Sequence, residues 1–163
     1  MHRKSSFPPV VEPDTRVLVL GSLPGERSLA ARRYYAHPQN RFWHLVGRVI
    51  GCELEPLDYE ARLAELLKAK VGLWDTVGSA RRTGSLDAAI RDARHNALAD
   101  LAASLPDLRA VGFNGGTAAR IGMAQLAGTG LALIALPSSS PAHAAMPLAE
   151  KEKLWSQLGE FLA

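Results

Sequence analysis

The chain has 163 residues, 47% of them apolar and 21% charged, long enough to bury one core without staples and too apolar for an intrinsically disordered chain. Its net charge is +3 and its isoelectric point lies near 9.3; the positive charge is mainly arginine, which suits a phosphate-bearing partner and equally a solvated surface. The single cysteine, Cys52, excludes an internal disulfide, and within one chain it excludes a Cys-type structural zinc site or a protein-bound iron–sulfur cluster.

Residues 1–15 are rich in proline, serine and charge and read as a flexible N-terminal arm, followed by a single domain over 16–163. The arm lacks the apolar core of a signal peptide and no run is long enough to cross a membrane, so the expectation is a cytoplasmic protein with no membrane partner. RVLVLGS (16–22) is a continuous apolar run ending at glycine, the pattern of a buried parallel strand. NRFWHLVGRVIG (40–51) spaces Phe42, Leu45, Val46, Val49 and Ile50 as a helix stopped by Gly51. DYEARLAELLKAK (58–70) is a second amphipathic helix, with acids early and lysines late to suit the helix dipole. VGLWDTV (71–77) is the next buried strand. RHNALADLAASLPDL (94–108) reads as helical up to Pro106, RAVGFNG (109–115) as a third strand and GTAARIGMAQLA (116–127) as a helix. LALIALPSSSPAH (131–143) is a fourth strand running into a loop. LAEKEKLWSQLGEFLA (148–163) closes the chain as a helix with Leu154, Trp155, Leu158, Phe161 and Leu162 on one side. Strands alternating with helices predict an α/β fold, an open parallel sheet covered on both faces.

Each strand ends in a polar or glycine-rich turn: Gly21-Ser22-Leu23-Pro24-Gly25, Asp75-Thr76, Asn114-Gly115-Gly116, and the loop from Pro137 through Ser138, Ser139, Ser140, Pro141 and Ala142 to His143. In open parallel sheets the ligand crevice lies beyond the carboxyl ends of the strands, so these four turns are expected to make one site. Gly21 and Gly25 let backbone approach a ligand, but no Lys-Ser/Thr pair follows as in a Walker A loop, and the third glycine of a dinucleotide fingerprint is absent. Asn114 either presents its amide to a ligand or caps the next helix. Asp75 is either a general base, a cap, or a partner for Arg81 or Arg82. The five histidines show no metal-ligand spacing, there is no G-x-S-x-G elbow, and neither metal nor cofactor is expected.

Together, GSLPGERSL (21–29), YYAHPQNRFW (34–43), WDTVGSARRTGSLDAAI (74–90), GFNGG (112–116) and LPSSSPAH (136–143) resemble the uracil-DNA glycosylase superfamily, and within it most nearly the hypoxanthine-DNA (deoxyinosine) glycosylases. The resemblance spans roughly residues 17–160. It implies a three-layer α/β/α sandwich around a central four-stranded parallel sheet, with a DNA groove at the strand carboxyl ends. It implies a monomeric DNA repair glycosylase that hydrolyses the N-glycosidic bond of a flipped, deaminated base and leaves an abasic site. By the same resemblance the first turn lines the base pocket and positions the catalytic water. Ser22 and Leu23 stand where other branches carry an Asp or Asn. Asn40 matches the asparagine implicated in catalysis, so Asn40 and Ser22 are the catalytic candidates. Gly21, Leu23, Pro24, Gly25 and Asn114 are base-binding candidates, with Tyr34, Tyr35 and Phe42 as the stacking faces and Phe113 a further one. Ser138, Ser139 and Ser140 are candidates to grip the DNA backbone, and Ala142 and His143 to fill or flank the gap in the stack. No lysine falls in these motifs, so no Schiff-base step is expected. Readings that stay open are the same fold acting on uracil, xanthine or mismatched bases, a hydrolase of free nucleosides or nucleotides, and a non-catalytic module that binds damaged DNA.

Overall fold

A computed structural model describes residues 3–163; Met1 and His2, the first two residues of the expected arm, lie outside the described residues. The central sheet has four parallel strands in the order β3-β2-β6-β7, where β2 is Val17–Gly21, β3 Val71–Asp75, β6 Ala110–Asn114 and β7 Ala132–Leu136. The two inner strands, VLVLG and AVGFN, are buried at every position, which is why they read as unbroken apolar runs rather than alternating ones. Alternate residues of β2 feed opposite layers. Val17 and Val19 pack with Phe42, Leu45, Val46 and Leu66 of helices α2 (Phe42–Ile50) and α3 (Tyr59–Lys68), and with Trp155 and Leu158 near the C-terminus. Leu18 and Leu20 pack with Leu98, Ala118 and Leu126 of α4 (Leu98–Ala103) and α5 (Gly116–Leu126). The predicted three-layer sandwich with its four-stranded parallel sheet is the observed architecture.

The register Gly21↔Asp75, Leu20↔Phe113 and Asn114↔Leu136 brings the carboxyl ends of all four strands to one edge. Local chemistry sets the boundaries of the helices. Asp58 caps α3 by accepting the Ala61 N–H at 2.9 Å. Gly51 ends α2 at φ 72° and Gly115 opens α5 at φ 100°, both in the left-handed region that favours glycine. Gly122 on α5 faces β6 so closely that a Cβ there would overlap the Phe113 ring. Gly122→Ala is therefore expected to lower stability by about 1–3 kcal/mol, a cost checked by urea unfolding.

Three strands lie outside the predicted set. β1 (Arg3–Ser5), β4 (Val77–Arg81) and β5 (Arg91–His95) form a second, antiparallel sheet in the order β1-β4-β5. This corrects two sequence expectations. The stretch read as a flexible arm is a strap: β1 pairs with β4, and Val10 and Leu73 exchange backbone hydrogen bonds at 2.9 Å. Phe7 sets its ring edge-on to Tyr34 at 5.1 Å, and its carbonyl accepts the Trp74 indole N–H at 3.0 Å. The open edge of β4 requires a partner for its backbone groups, and the strap supplies it. Arg94 and His95, read as the start of a helix, belong instead to β5, and α4 begins at Leu98. At the C-terminus α6 (Leu148–Trp155) passes into a 3₁₀ stretch, Ser156–Phe161, which buries Trp155 and Leu158 but leaves Leu154 exposed. The remaining helix, α1 (Glu26–Ala31), follows the first glycine turn directly. Among the described residues no helix is long and apolar enough to cross a membrane.

Candidate active site

The four turns meet around one cavity of about 410 Å³, within the roughly 300–1,000 Å³ typical of small-molecule clefts. Gly21 to Gly25 line it, with Tyr34, Tyr35, His37, Asn40, Asp75, Asn114 and the whole 138–143 loop. Its wall is completed by Ser85, Leu86 and Asp87, which belong to the loop between β4 and β5. Of the sequence-predicted site residues only Phe42 and Phe113 stay off this wall, and both are fully buried.

The first turn is locked from outside. The carbonyls of Gly21 and Ser22 accept the N–H groups of Thr76 (2.7 Å) and Val77 (2.9 Å), tying the end of β2 to the β3–β4 junction. The Arg82 guanidinium, 1% exposed, donates to the carbonyls of Leu23 (3.5 Å), Pro24 (2.5 Å) and Gly84 (2.8 Å). Arg82 therefore holds the turn by its backbone rather than pairing with Asp75. Ser22 donates its hydroxyl to Asp87 Oδ1 at 2.6 Å, so a carboxylate from a different loop sits beside the turn that has no acid of its own. The sequence reading missed Asp87; an acid in a loop between two weakly apolar strands carries no periodic signal.

The aromatic stretch divides by depth. Phe42 is buried, and the Tyr35 ring lies on it in a parallel stack with centroids 3.7 Å apart at 11°. Phe42 thus lies beneath the Tyr35 ring and off the cavity wall, which corrects its assignment as a direct base contact. Tyr35 has φ 53°, and its carbonyl accepts the Trp43 indole N–H at 3.1 Å, so backbone and ring are both fixed. Tyr34 touches the cavity but points its hydroxyl away, to the carbonyls of Phe7 and Pro8 at 3.3 and 3.0 Å. Asn40, one residue before the α2 N-cap position Arg41, accepts the Phe42 N–H on Oδ1 at 3.0 Å and so caps the start of the helix with its side chain. That bond fixes the amide plane and leaves Nδ2 and a second Oδ1 lone pair for the cavity.

Asn114 and Ser139 bind each other reciprocally: Asn114 Nδ2 donates to Ser139 Oγ at 2.8 Å, and Ser139 N donates to Asn114 Oδ1 at 2.9 Å. Asn114 therefore does not cap α5, and Ser139, 1% exposed, joins the last two turns, whereas Ser138 and Ser140 beside it are half-buried. Ser138 and Ser140 shape the loop through their own backbone, accepting the N–H groups of Ser140 (3.1 Å) and Ala142 (3.2 Å). From behind, the buried Lys151 ammonium donates to the carbonyls of Ser138 and His143, both at 2.7 Å. A cation with no carboxylate partner among the described residues thus sits under a loop whose outer side is exposed.

Asp75 lies deepest. Its Oδ2 accepts the Ser6 hydroxyl at 2.6 Å, and its backbone carbonyl accepts from Asn96 Nδ2 at 2.8 Å. Oδ1 and the Tyr35 hydroxyl both crowd Gly21: a Cβ there would lie 2.7 and 2.9 Å from them. Glycine is therefore required at 21 by close approach, since β2 itself is ordinary extended strand. Burial pushes the Asp75 carboxyl up to about 7 against the Ser6 hydrogen bond, with the Asp87 charge adding to the rise. Burial, and after it Asp75, likewise pushes the Tyr35 phenol far up, and among the described residues its hydroxyl has no hydrogen-bond partner.

An open parallel sheet that gathers the Tyr35–Phe42 stack, the buried Asn114–Ser139 pair and a serine loop backed by Lys151 around one cavity at its carboxyl edge defines an α/β protein with its ligand crevice at the strand ends. The family model of the Uracil DNA glycosylase superfamily matches residues 8–159. Two curated relatives, each named hypoxanthine DNA glycosylase, are similar: one from Methanosarcina acetivorans is 40% identical over 86% of this chain and 88% of its own, and one from Methanosarcina barkeri is 42% identical over 69% and 72%. A solution NMR structure of a Methanosarcina acetivorans protein superposes with a TM-score of 0.89 at 37% identity, covering 99% of both chains. The chain belongs to the uracil DNA glycosylase superfamily.

Proposed function

We propose that this protein is a monofunctional DNA glycosylase that takes a deaminated base, hypoxanthine first among them, out of the helix and hydrolyses its N-glycosidic bond. The observation that carries the reading is the pairing of a rigid stacking platform, Tyr35 on Phe42, with a fixed amide, Asn40, across one cavity at the strand ends. The two relatives named hypoxanthine DNA glycosylase support the choice of base. The chain acts as one domain and as a monomer, and its single cysteine suits a reducing, cytoplasmic compartment.

In this reading the base stacks on the open face of Tyr35, a contact worth about 1–3 kcal/mol. Water adds to the sugar C1′ as the C1′–N9 bond breaks, and the bonding electrons leave with the base. Asn40 accepts a hydrogen bond from the water on its free Oδ1 lone pair and aims the oxygen; an amide is too weak a base to take the proton, which the water loses through solvent to the departing purine anion. Negative charge gathers on the departing purine, where fixed donors stabilise it. In this reading the N–H groups of the first turn and the second Nδ2 proton of Asn114 serve as these donors. Ser22, its hydroxyl engaged by Asp87, contributes by holding that carboxylate near the developing positive sugar.

The test is a panel of duplexes carrying hypoxanthine, uracil or xanthine, treated with the protein and then with alkali. Strand cleavage at hypoxanthine that needs the alkali step is expected. Release from uracil alone would move the protein to a different substrate, and binding without release from any lesion would make it a non-catalytic module. Release of base from free inosine with no salt-sensitive DNA affinity would support a nucleoside hydrolase instead.

A further inference from the structure

Asp75 is 3% exposed, lines the cavity and makes no ion pair among the described residues. Its two oxygens have different surroundings. Oδ2 accepts the Ser6 hydroxyl at 2.6 Å, and Ser6 is fixed in turn by its own N–H, which donates to the Gly78 carbonyl at 2.9 Å. No donor reaches Oδ1 among the described hydrogen bonds. That oxygen lies against Gly21 with the Tyr35 hydroxyl beside it, since a Cβ on Gly21 would sit 2.7 Å from one and 2.9 Å from the other. Gly21 and Tyr35 both line the cavity, and the Tyr35 hydroxyl is itself unpartnered. Two polar atoms without protein partners therefore converge on one gap that only glycine leaves open, where a polar ligand atom would satisfy them.

We propose that Asp75 is the catalytic acid of this site, handing a proton from Oδ1 to the departing purine, and that the N-terminal strap tunes that acid through Ser6. The inference deepens the DNA glycosylase reading above and rests on it. Water bonds to C1′ as the C1′–N9 bond breaks, and the bonding pair passes into the conjugated base. A ring nitrogen or O6 at the edge facing Gly21 then takes the Asp75 proton, so the base departs neutral. The carboxylate left behind is reloaded through solvent by the proton that the attacking water sheds, so Asp75 is the last carrier on that proton's route. Nothing else on the wall supplies the acid: the Asn40 amide has no proton to give, and Asp87 is engaged by Ser22. Ser6 places the proton, because its donation to Oδ2 leaves Oδ1 as the oxygen that carries it. The surroundings keep the acid loaded near neutrality. Burial, and after it the Asp87 charge, raise its pKa to about 7 against the Ser6 bond and the Arg82 charge, while the neighbouring Tyr34 and Tyr35 phenols, both pushed far up, stay neutral.

The experiment is a pH profile, from about pH 5.5 to 9, of single-turnover base release from a hypoxanthine duplex at saturating protein. The unaltered chain is expected to hold a plateau below about pH 7 and to lose about tenfold per unit above it. Asp75→Asn still donates a hydrogen bond but gives no proton. It should lose about 10²-fold or more at pH 6 and show no falling limb, with lesion affinity within a few-fold and no loss of thermal stability. Ser6→Ala removes the bond that favours the carboxylate, so its falling limb should move to higher pH, a displacement that a purely structural tie between strap and β3 would not produce. Native-rate release by Asp75→Asn would overturn the proposal, as would a falling limb that persists in Asp75→Asn or stays in place in Ser6→Ala. A rate that instead rises with pH through about 7 and is lost in Asp75→Asn would make the residue a general base, which also overturns it. Failure of the glycosylase reading looks different: the unaltered chain would release no base at any pH.

Discussion

Replacing Asn40 with alanine is expected to slow base release under single-turnover conditions by about 10²–10³-fold while affinity for lesion-containing DNA stays within a few-fold. The expectation follows from what Asn40 does not touch. Its Oδ1 is partly spent on the Phe42 N–H, and that bond alone makes it a helix cap. Its Nδ2 has no protein partner among the described hydrogen bonds and faces the cavity that Tyr35, Asn114 and the first turn share. Loss of the cap should cost about 1 kcal/mol, a fall of roughly 2–4 °C in the thermal midpoint for a chain of this size. The fold should therefore survive, and lost activity can be assigned to the missing amide. Asn40→Asp separates the two jobs. Aspartate caps as well as asparagine and can still orient water, so it should keep native stability and retain more base release than Asn40→Ala. Excision by Asn40→Ala at the native rate would remove Asn40 from the chemistry and leave it a cap.

Most of the scaffold was legible in the sequence because burial on both faces leaves a strong mark. VLVLG and AVGFN can be little else than inner parallel strands, and Gly51 and Asp58 mark helix ends by geometry any chain must obey. The convergence of four turns followed from the sheet alone. The antiparallel sheet was not legible because its strands bury little: β5 reads RDARH and is exposed at every residue, so no periodicity distinguishes it from loop. The same cause hid Leu86 and Asp87, which reach the site on the hairpin that these strands build. Depth was the other blind spot. Tyr34, Tyr35 and Phe42 are equivalent as letters, yet one turns to the strap, one faces the cavity and one lies beneath it. Only the φ of 53° at Tyr35 and the stack below it separate their roles.

Asp75→Asn is expected to stabilise the protein strongly at pH 8, by a little over a third as much at pH 5, and to leave it nearly unchanged near pH 3. The unfolded carboxyl titrates at its ordinary value near 3.8, whereas burial pushes the folded one up to about 7. Between those values the folded state holds a proton that the unfolded state has lost. Stability contributed by this group therefore falls as pH rises from about 4 to about 7, and is constant outside that window. A rise of this size corresponds to a penalty on the order of 4 kcal/mol above pH 7, at about 1.36 kcal/mol per unit. The substitution removes the charge without changing the shape. Ser6 can still donate to the amide oxygen, and the new Nδ2 lies on the side of Gly21 where the Tyr35 hydroxyl lacks a partner. Because every other titrating group is shared, the difference between native and variant unfolding midpoints isolates Asp75. It should vanish near pH 3, reach roughly a third of its full size by pH 5 and grow to several degrees in the variant's favour by pH 8. A difference that stays flat with pH would mean that Asp75 is ionised throughout the range and that Ser6, not burial, sets its state. A gain at pH 8 would show instead that the cavity keeps a carboxyl that costs the fold stability at neutral pH, as a site selected for function over stability does.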